Sequence, residues 1–522
     1  MKGYEILKAL QDLTVESTEE IQERINKITI KGISYHSGKI KPGEAFVCIK
    51  GYETDGHKYL KDAVKKGAVL AIVEDHQEEV DVPQISVKDS RVALAKLGAA
   101  FYQHPSRNLR MIGITATNGK TTTSFMVHKI LQDAKMDAGI IGTVMVQYRD
   151  KKIPALLTTP ESLDLQGHFA DMIKEGISHV TMEVSSSAQE LSRVVDVDFD
   201  IVSMNNISKD HIDNHGSFER YFEVKSRLIT WAKPESTVIL NLDCPYSKSL
   251  ITETKGNVVT FGIDDTTGDF TIEDLDLSTG RGYFNLVIPR EINLRGKTVK
   301  KGKVKVALSV PGYHSVYNSI VAAIIGLAVG VSPEAVAKSL QGFKGVERRF
   351  EFIYEKDFTI VDDHFANPGN IEMTLETLEK MDYRRLHILY AIRGRRGAVV
   401  NRENADALVK WVPKLKTETF FATEGKGYVM EKDRVTKEER RIFDEVTKEA
   451  GMDVTVYPTL QESIDAVLAR TKKDDVILLA GCQGMDFGGK LILEALAAGK
   501  GEEEQKEILK PLEHRVAGIE EL

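Results

Sequence analysis

The chain has 522 residues, too many for one hydrophobic core, so we expect two to four domains. Its formal net charge of −8 and the lack of a basic stripe argue against general binding to nucleic acid. Three widely spaced cysteines, at positions 48, 244 and 482, indicate neither a disulfide framework nor a metal site. The sequence has no run of about 18 apolar residues and no signal-peptide pattern, so we predict a cytoplasmic protein without a membrane partner.

The first 88 residues form a pattern of short strands around one helix. The turn from Asp55 to His57 follows an apolar run, a position where ligands are often held, although a plain surface turn has the same composition. A helix over 89–103 begins at an Asp or Ser cap, and we place the first domain boundary at residue 88. The strands expected before that boundary are 28–30, 45–49 and 69–73, with a helix at 59–66.

The rest of the chain alternates strands with helices, the rhythm of parallel sheets with helices on both faces. We predict a central domain over 89–344 and a C-terminal domain over 345–522. A polar–apolar alternation at 299–311 indicates an antiparallel edge. The other predicted strands are 111–115, 140–146, 178–182, 199–204 and 237–242, then 358–361, 386–390, 418–421, 454–457 and 475–479.

The stretch from Met111 to Lys135 predicts a nucleotide site. An apolar strand leads into Asn118-Gly119-Lys120-Thr121-Thr122, and an amphipathic helix follows. Backbone N–H groups at such a helix start meet a polyphosphate, while the lysine reaches the β- and γ-phosphates and the first threonine can ligate Mg²⁺. Ala116 stands where the usual motif has its first glycine. We predict that this stretch binds ATP or GTP.

Polar residues also follow other predicted strands, at the sheet edge where ligands bind. Glu183 ends a hydrophobic strand and is a candidate for holding Mg²⁺ against phosphates. Thr158 and Thr159 follow a strand and suit either an anionic ligand or an ordinary turn. His211 lies in an Asp-His-x-Asp cluster, and Lys225 lies on the helix after it.

Several of these segments resemble the Mur ligases, and they occur in that family's order. They are TNGKTT, TTPES, MEVSS, NISKDHIDNHG, YFEVKSRL, NLD and GYHSVYN. The early segment KPGEAFVCIKGYETDGH is similar to the MurE branch, which adds the third amino acid to a UDP-linked muramoyl dipeptide. The resemblance implies a three-domain α/β architecture with a UDP-precursor-binding domain, a central P-loop ATPase domain and a C-terminal Rossmann-like domain.

The resemblance also implies a reaction and its residues. ATP would phosphorylate the precursor's carboxylate, and the amine of a free amino acid would then displace phosphate, with ATP and Mg²⁺ as cofactors. The implied catalytic residues are Lys120, Glu183, His211, Lys225 and Asp363. Those implied for the nucleotide are Asn118, Gly119, Lys120, Thr121, Thr122, Asn318 and Arg349. Those implied for metal are Thr121, Glu183, His211 and Lys225, the last in carbamylated form. Those implied for the UDP-precursor are Ser37, Asp55, His57, Thr158, Thr159, Ser185 and Arg193.

The sequence departs from the family pattern in the amino-acid pocket. The D-N-P-R segment that reads diaminopimelate is absent, and Gly481 to Asp486 replaces G-K-G-H-E. Ser187 and Ser315 replace a histidine and an asparagine, and the family's D-Y-A-H-x-P keeps only its aspartate, Asp363, and its proline. We therefore expect an amino acid other than meso-diaminopimelate. Its carboxylate would meet an arginine cluster after the strand at 386–390, formed by Arg393, Arg395 and Arg396, unless these arginines only line a cleft or face solvent.

Three functions remain open from the sequence. The first is a monomeric ligase acting on a UDP-linked peptide and a free amino acid, of peptidoglycan or of archaeal pseudomurein. The second is a related ligase for another carboxylate, such as a polyglutamate chain, against which the TDGH segment argues. The third is a regulatory P-loop NTPase, against which Glu183, His211 and Lys225 argue, because a switch needs no second metal site.

Overall fold

The computed structural model describes all residues except 16–18, 52–53, 209–214, 278, 516 and 519–522. The chain divides into two compact units. The first comprises Met1–Asp269, Asn293–Val299 and Ile324–Val331, and the second comprises Phe270–Ile292, Lys300–Ala323 and Ser332–Leu522. Within the described part of the chain, no helix is both long and apolar enough to cross a membrane.

The first unit begins with a four-stranded parallel sheet in the order β1-β2-β3-β4. Its helix α4 begins after Asp89, whose carboxylate accepts the Arg91 and Val92 N–H groups, as the sequence predicted. The predicted strand at 28–30 is only a single bridge between Thr29 and Lys2. The elements are α1 Gly3–Leu10, α2 Glu19–Asn26, β1 Gly32–Ser34, β2 Glu44–Val47, a 3₁₀ turn Gly56–Tyr59, α3 Leu60–Lys65, β3 Leu70–Val73, β4 Gln84–Ser86 and α4 Ser90–Phe101.

An eight-stranded sheet forms the centre of the first unit, in the order β12-β11-β10-β5-β9-β6-β7-β8. Six strands are parallel, and β7 and β8 extend one edge as antiparallel strands. The elements are a 3₁₀ turn Pro105–Asn108, β5 Arg110–Thr115, α5 Lys120–Asp133, β6 Ala138–Ile141, β7 Met145–Tyr148, β8 Lys151–Pro154, α6 Ser162–Lys174, β9 His179–Glu183, α7 Ser186–Glu190, β10 Ile201–Met204, α8 Phe218–Thr230, β11 Thr237–Asn241, α9 Pro245–Ser249, a 3₁₀ turn Leu250–Thr252 and β12 Asn257–Phe261.

A smaller antiparallel sheet, in the order β13-β14-β17, follows in the second unit. Its strand β17 confirms the antiparallel edge predicted from the alternation at 299–311. The elements between residues 270 and 341 are β13 Thr271–Asp276, β14 Arg281–Ile288, the paired strands β15 Ile292–Leu294 and β16 Lys297–Val299, β17 Gly302–Pro311, α10 Tyr313–Ala328 and α11 Pro333–Gln341. Within this stretch, Asn293–Val299 and Ile324–Val331 belong to the first unit.

The C-terminal part of the second unit is a six-stranded sheet in the order β18-β19-β23-β20-β21-β22, parallel except for β18. Apolar clusters cover both of its faces. The elements are β18 Glu351–Glu355, β19 Thr359–Asp363, α12 Pro368–Lys380, β20 Leu386–Ala391, α13 Gly397–Trp411, β21 Thr417–Lys426, α14 Lys437–Glu449, β22 Val454–Thr459, α15 Leu460–Arg470, β23 Val476–Ala480, α16 Gly488–Ala497 and α17 Glu502–Leu509, with 3₁₀ turns Val412–Lys414, Glu431–Asp433, Gln483–Met485 and Lys510–His514.

The predicted α/β class is confirmed by these sheets. The predicted single strand at 140–146 is wrong, because the chain turns over residues 142–144 between β6 and β7. Strand β4 was not predicted, since three residues give too short a pattern to detect. The domain boundaries at 88 and 344 stay predictions.

Candidate active site

The predicted phosphate loop joins β5 to α5 at the carboxyl edge of the eight-stranded sheet. Gly119 precedes the helix with φ +90°, a left-handed conformation that suits glycine. Asn206, which follows β10, holds the loop from the side: its Oδ1 accepts the Asn118 N–H at 3.0 Å, and its Nδ2 donates to the Asn118 carbonyl at 2.9 Å. Asn206 begins the NISKDHIDNHG segment but is not among the predicted site residues, because no local pattern showed that it contacts the loop.

Two lysine ammonium groups meet at this loop. Lys120 Nζ donates to the Ala116 carbonyl at 2.8 Å and to the Thr117 carbonyl at 3.1 Å. Lys225 Nζ, from α8, donates to the same Ala116 carbonyl at 2.7 Å and lies 5.0 Å from the centre of the Tyr221 ring. Lys225 is 1% exposed. Both ammonium groups thus contact one carbonyl at the start of the phosphate loop.

Glu183 is the centre of a hydroxyl cluster beside the loop. Its Oε2 accepts the Thr121 hydroxyl at 2.8 Å and the Thr143 hydroxyl at 3.0 Å, and its Oε1 accepts the Thr143 N–H at 2.9 Å. The carboxylate is fully buried. Gly142 makes this approach possible, since a Cβ there would lie 2.2 Å from Oε1. Thr143 is not among the predicted site residues, because it lies within 140–146, which the sequence predicts to be a strand.

The predicted precursor residues form a second group next to Glu183. Thr159 donates its hydroxyl to the Glu183 carbonyl at 2.9 Å and accepts the Ser185 N–H at 3.2 Å. Arg193 donates to the Thr159 carbonyl at 3.2 Å and pairs with Glu161 at 2.8 Å. Thr158 shares a hydrogen bond of 3.1 Å with Thr143. The structure thus brings Thr158, Thr159, Ser185 and Arg193 together around the end of β9.

His211 lies outside the described residues. Further along the chain, His215 Nε2 lies 3.1 Å from the Ser186 hydroxyl, and its Nδ1 lies 3.0 Å from Glu190. Burial lowers the pKa of His215, against the attraction of Glu190. Among the residues that the structure describes, no three His, Cys, Asp or Glu side chains form a metal cluster. The hydroxyl of Thr121 and the carboxylate of Glu183 are nevertheless hard oxygen donors of the kind that suits Mg²⁺.

In the N-terminal domain, the predicted residues Asp55 and His57 lie in a turn that hydrogen bonds stabilise. His57 Nδ1 lies 2.6 Å from Asp55 Oδ1, and its Nε2 accepts the Glu74 N–H at 3.0 Å, so both ring nitrogens have protein partners. Burial opposes ionisation of Asp55, and the hydrogen bonds from His57 outweigh it and lower the pKa of Asp55. The backbone carbonyl of Ser37 accepts a hydrogen bond from the Lys66 ammonium at 2.9 Å. In this structure His57 stabilises the turn through hydrogen bonds at both ring nitrogens.

In the second unit, Asp363 ends β19 and organises its surroundings. Its Oδ1 accepts the N–H groups of Phe350 at 3.0 Å and His364 at 2.9 Å, and its Oδ2 accepts the Thr374 hydroxyl. Burial raises the pKa of Asp363, although these hydrogen bonds oppose the shift. Burial lowers the pKa of His364, and the nearby Arg349 guanidinium lowers it further. Asn318 is buried in α10.

The three arginines after β20 are held by different partners. Glu439 accepts the backbone N–H groups of Arg395, Arg396 and Gly397 at 2.7 to 3.1 Å. The side chains of Arg395 and Arg396 lie near acidic residues, at 3.8 Å from Glu431 and 3.3 Å from Asp433. Arg393 instead donates to the Ala366 carbonyl, at the start of the segment after β19. The geometry separates Arg393, at the strand edge, from the other two.

Three family models match the chain. They are the Mur ligase family, catalytic domain, over 29–102, the Mur ligase middle domain over 114–326, and the Mur ligase, glutamate ligase domain over 348–483. A UDP-N-acetylmuramoyl-L-alanyl-D-glutamate–2,6-diaminopimelate ligase of Caldanaerobacter subterraneus is 33% identical over 480 residues, which cover 90% of this chain and 93% of that one. The enzyme of the same name from Bacillus licheniformis is 32% identical, covering 87% and 89%.

Solved structures show the same fold. A ligase structure with the same title superposes with a TM-score of 0.65 at 22% identity, covering 91% of this chain and 93% of the other. The MurF ligase of Thermotoga maritima, solved in complex with ADP, gives a TM-score of 0.60 at 19% identity, covering 92% and 98%. At these identities the likeness is one of fold alone.

Proposed function

The chain belongs to the Mur ligase family, and we propose that it is an ATP-dependent, ADP-forming ligase that joins an amino acid to a UDP-linked cell-wall peptide precursor. Its relatives are named for a reaction of this kind, with 2,6-diaminopimelate as the amino acid. The observation that carries the proposal is the arrangement around the phosphate loop. Lys120 and Lys225 meet at one carbonyl, and the Glu183–Thr121 pair lies beside them.

The proposed reaction has two steps. An oxygen of the precursor's carboxylate attacks the γ-phosphorus of ATP, the bond to the β-phosphate oxygen breaks, and ADP leaves. The amine of the amino acid then attacks the acyl carbon of the resulting acyl phosphate, inorganic phosphate leaves, and the nitrogen gives up a proton. Both steps gather negative charge on phosphate oxygens. Lys120 and the N–H groups at the start of α5 are suited to hold that charge in place.

Mg²⁺ fits the oxygen donors of Thr121 and Glu183. When bound, it would neutralise phosphate oxygens that otherwise repel the attacking carboxylate. An unmodified Lys225 ammonium would repel a second Mg²⁺ nearby. We therefore propose that in the active enzyme the neutral amine of Lys225 adds CO2 and loses a proton, which gives a carbamate anion on the same stem. The Lys225 carbamate and His211 are the proposed ligands of that second Mg²⁺.

For the amino acid, we propose recognition of its carboxylate by Arg393. The Arg393 guanidinium lies at the edge where β19 and β20 end, whereas Arg395 and Arg396 have acidic partners. Binding of the amino acid should therefore weaken at least tenfold in Arg393→Ala and less than threefold in Arg395→Ala. Isothermal titration with each amino acid of a panel measures this. Equal weakening in both variants would contradict the assignment.

The function is tested by following ADP release with ATP and Mg²⁺ over a panel of precursors and amino acids. The panel pairs UDP-linked muramoyl dipeptide and a polyglutamate chain with diaminopimelate, lysine, glutamate and other α-amino acids. We expect release only when a UDP-peptide and one amino acid are present together. Release with ATP alone, at the same rate, would instead support a regulatory NTPase. Exclusive use of diaminopimelate would overturn our expectation of a different amino acid.

A further inference from the structure

A cavity lies in the first unit, away from the phosphate loop. It has a volume of about 360 Å³ and is lined by the segment that precedes β10 and by the last turn of α8 with the residues after it. Parallel strands begin at this edge of the sheet, whereas the phosphate loop lies where they end. The proposed reaction uses none of the side chains that form its walls.

The walls of the cavity are largely apolar. Val194, Val195 and Val197 line one side, and Leu228 and Trp231 line the other. Trp231 is 65% exposed, which is unusual for so large an apolar side chain. The Arg227 guanidinium lies over one face of the Trp231 ring, 5.4 Å from the ring centre. A planar apolar ring would bury the exposed indole face.

The side chains that line the cavity carry two negative and two positive charges. Asp196 and Asp198 are matched by Arg227 and Lys233, and Lys233 pairs directly with Asp198. A charged ligand would lose its hydration here without gaining a net electrostatic attraction, so the site favours an uncharged ligand. The volume lies in the range of small-molecule pockets.

We propose that this cavity is a binding site for a small uncharged ring compound, with Trp231 as one wall. Gln189 connects the cavity to the backbone of α8, the helix that carries Lys225. This buried side chain lines the cavity, donates to the Lys225 carbonyl at 3.2 Å and accepts the Leu228 N–H at 2.7 Å. A bound ring therefore contacts the same part of α8 that carries Lys225, and its occupancy alters the ligation rate. That last consequence rests on the proposed function.

The binding site is tested by isothermal titration of the full chain with indole, without nucleotide or precursor. We expect saturable binding at one site, with affinity at least tenfold lower in Val195→Phe, which fills the cavity, and in Trp231→Ala. Trp231→Ala removes an exposed ring, so its fold should be unaffected. Tyr4→Ala removes another exposed ring, on α1, and should change the affinity less than twofold.

Either of two results would overturn the site: no saturable binding, or binding that both cavity variants retain. Indole-5-carboxylate should bind at least fivefold more weakly than indole, and equal affinity would overturn the uncharged class of ligand. Saturating indole should change the rate of ADP release at least twofold in the wild type and not in Val195→Phe, and an unchanged wild-type rate would refute the link through Gln189. If the proposed ligation itself fails, ADP release does not depend on a UDP-peptide and an amino acid, whereas indole binding remains measurable.

Discussion

At the residue scale, the phosphate loop is organised by charge. Two ammonium groups, from Lys120 and Lys225, donate to the Ala116 carbonyl, and the Glu183 carboxylate is occupied by hydroxyl and N–H donors rather than by either lysine. Both ammonium groups therefore lie at the loop that would hold the phosphates.

Replacing Lys120 by alanine should reduce ADP release by a factor of about 10² to 10³, because a preorganised charge contact to the transition state is lost. Steady-state ADP release measures the effect, and circular dichroism should show an unchanged fold. The matched control is Lys129→Ala on the same helix, whose ammonium pairs with Asp133 at 2.6 Å on the more exposed side. Near-wild-type turnover in Lys120→Ala would refute the assignment of the loop.

Lys225→Met should also remove ADP release, because methionine fills a similar volume without an amine that could become a carbamate. The direct measurement is a high-resolution electron density map of the enzyme loaded with Mg²⁺ and nucleotide, which should show a carboxylated Nζ. An unmodified Lys225 in that map would contradict the proposed second metal site.

Glu351 should make the protein less stable at high pH. Burial raises its pKa to about 7, although Arg515 and the Arg348 N–H oppose the shift. The folded state thus keeps a proton that the unfolded state loses near its ordinary pKa of 4.5, so stability falls as pH rises from about 4.5 to 7. Glu351→Gln keeps the acceptor for the Arg348 N–H and should be more stable than wild type at pH 8 by about 1–3 kcal/mol.

Thermal unfolding of Glu351→Gln and wild type at pH 4.5 and pH 8 measures this difference. The two proteins should unfold at similar temperatures at pH 4.5, where the wild-type side chain is also neutral. A difference that does not grow with pH would show that Glu351 ionises normally.

At the scale of elements, the turn between β6 and β7 places Thr143 against Glu183. A Cβ on Gly142 would lie 2.2 Å from Glu183 Oε1, so Gly142→Ala must displace the carboxylate or the turn. We expect ADP release to fall at least tenfold and the apparent affinity for Mg²⁺ to weaken. Gly302→Ala is the control, since nothing lies within 4 Å of a Cβ there. Equal activity of the two variants would show that the turn has no such role.

The sequence predicted the elements that have strong periodicity. The strand predicted at 111–115 and the helix from Lys120 were clear because apolar residues repeat at strand and helix spacing. Lys120 and Thr121 were predicted from the glycine turn between this strand and helix, and Glu183 from its place at a strand end. The turn at 142–144 was missed because apolar residues continue across it. Asn206, Thr143 and the shared Ala116 carbonyl were missed because tertiary contacts, which have no local pattern, define them.

At the scale of the whole molecule, three family models in order along the chain and relatives that match over most of their length confirm the predicted membership of the Mur ligase family. The proposed amino-acid site follows β19, β20 and β23, where Asp363, Arg393 and Cys482 have different hydrogen-bond partners. Sequence patterns alone could not predict which of the three arginines after β20 lies at that edge.

We propose that the chain activates a carboxylate by phosphorylation and then joins it to an amine. The most direct measurement uses a UDP-peptide whose free carboxylate carries ¹⁸O, incubated with ATP, Mg²⁺ and the amino acid that supports ADP release. Mass spectrometry of the released phosphate should find one ¹⁸O atom per molecule, because the carboxylate oxygen that attacked ATP leaves with the phosphate. Released phosphate without ¹⁸O, at the same rate of ADP formation, would show that water attacks ATP and would contradict the ligase mechanism.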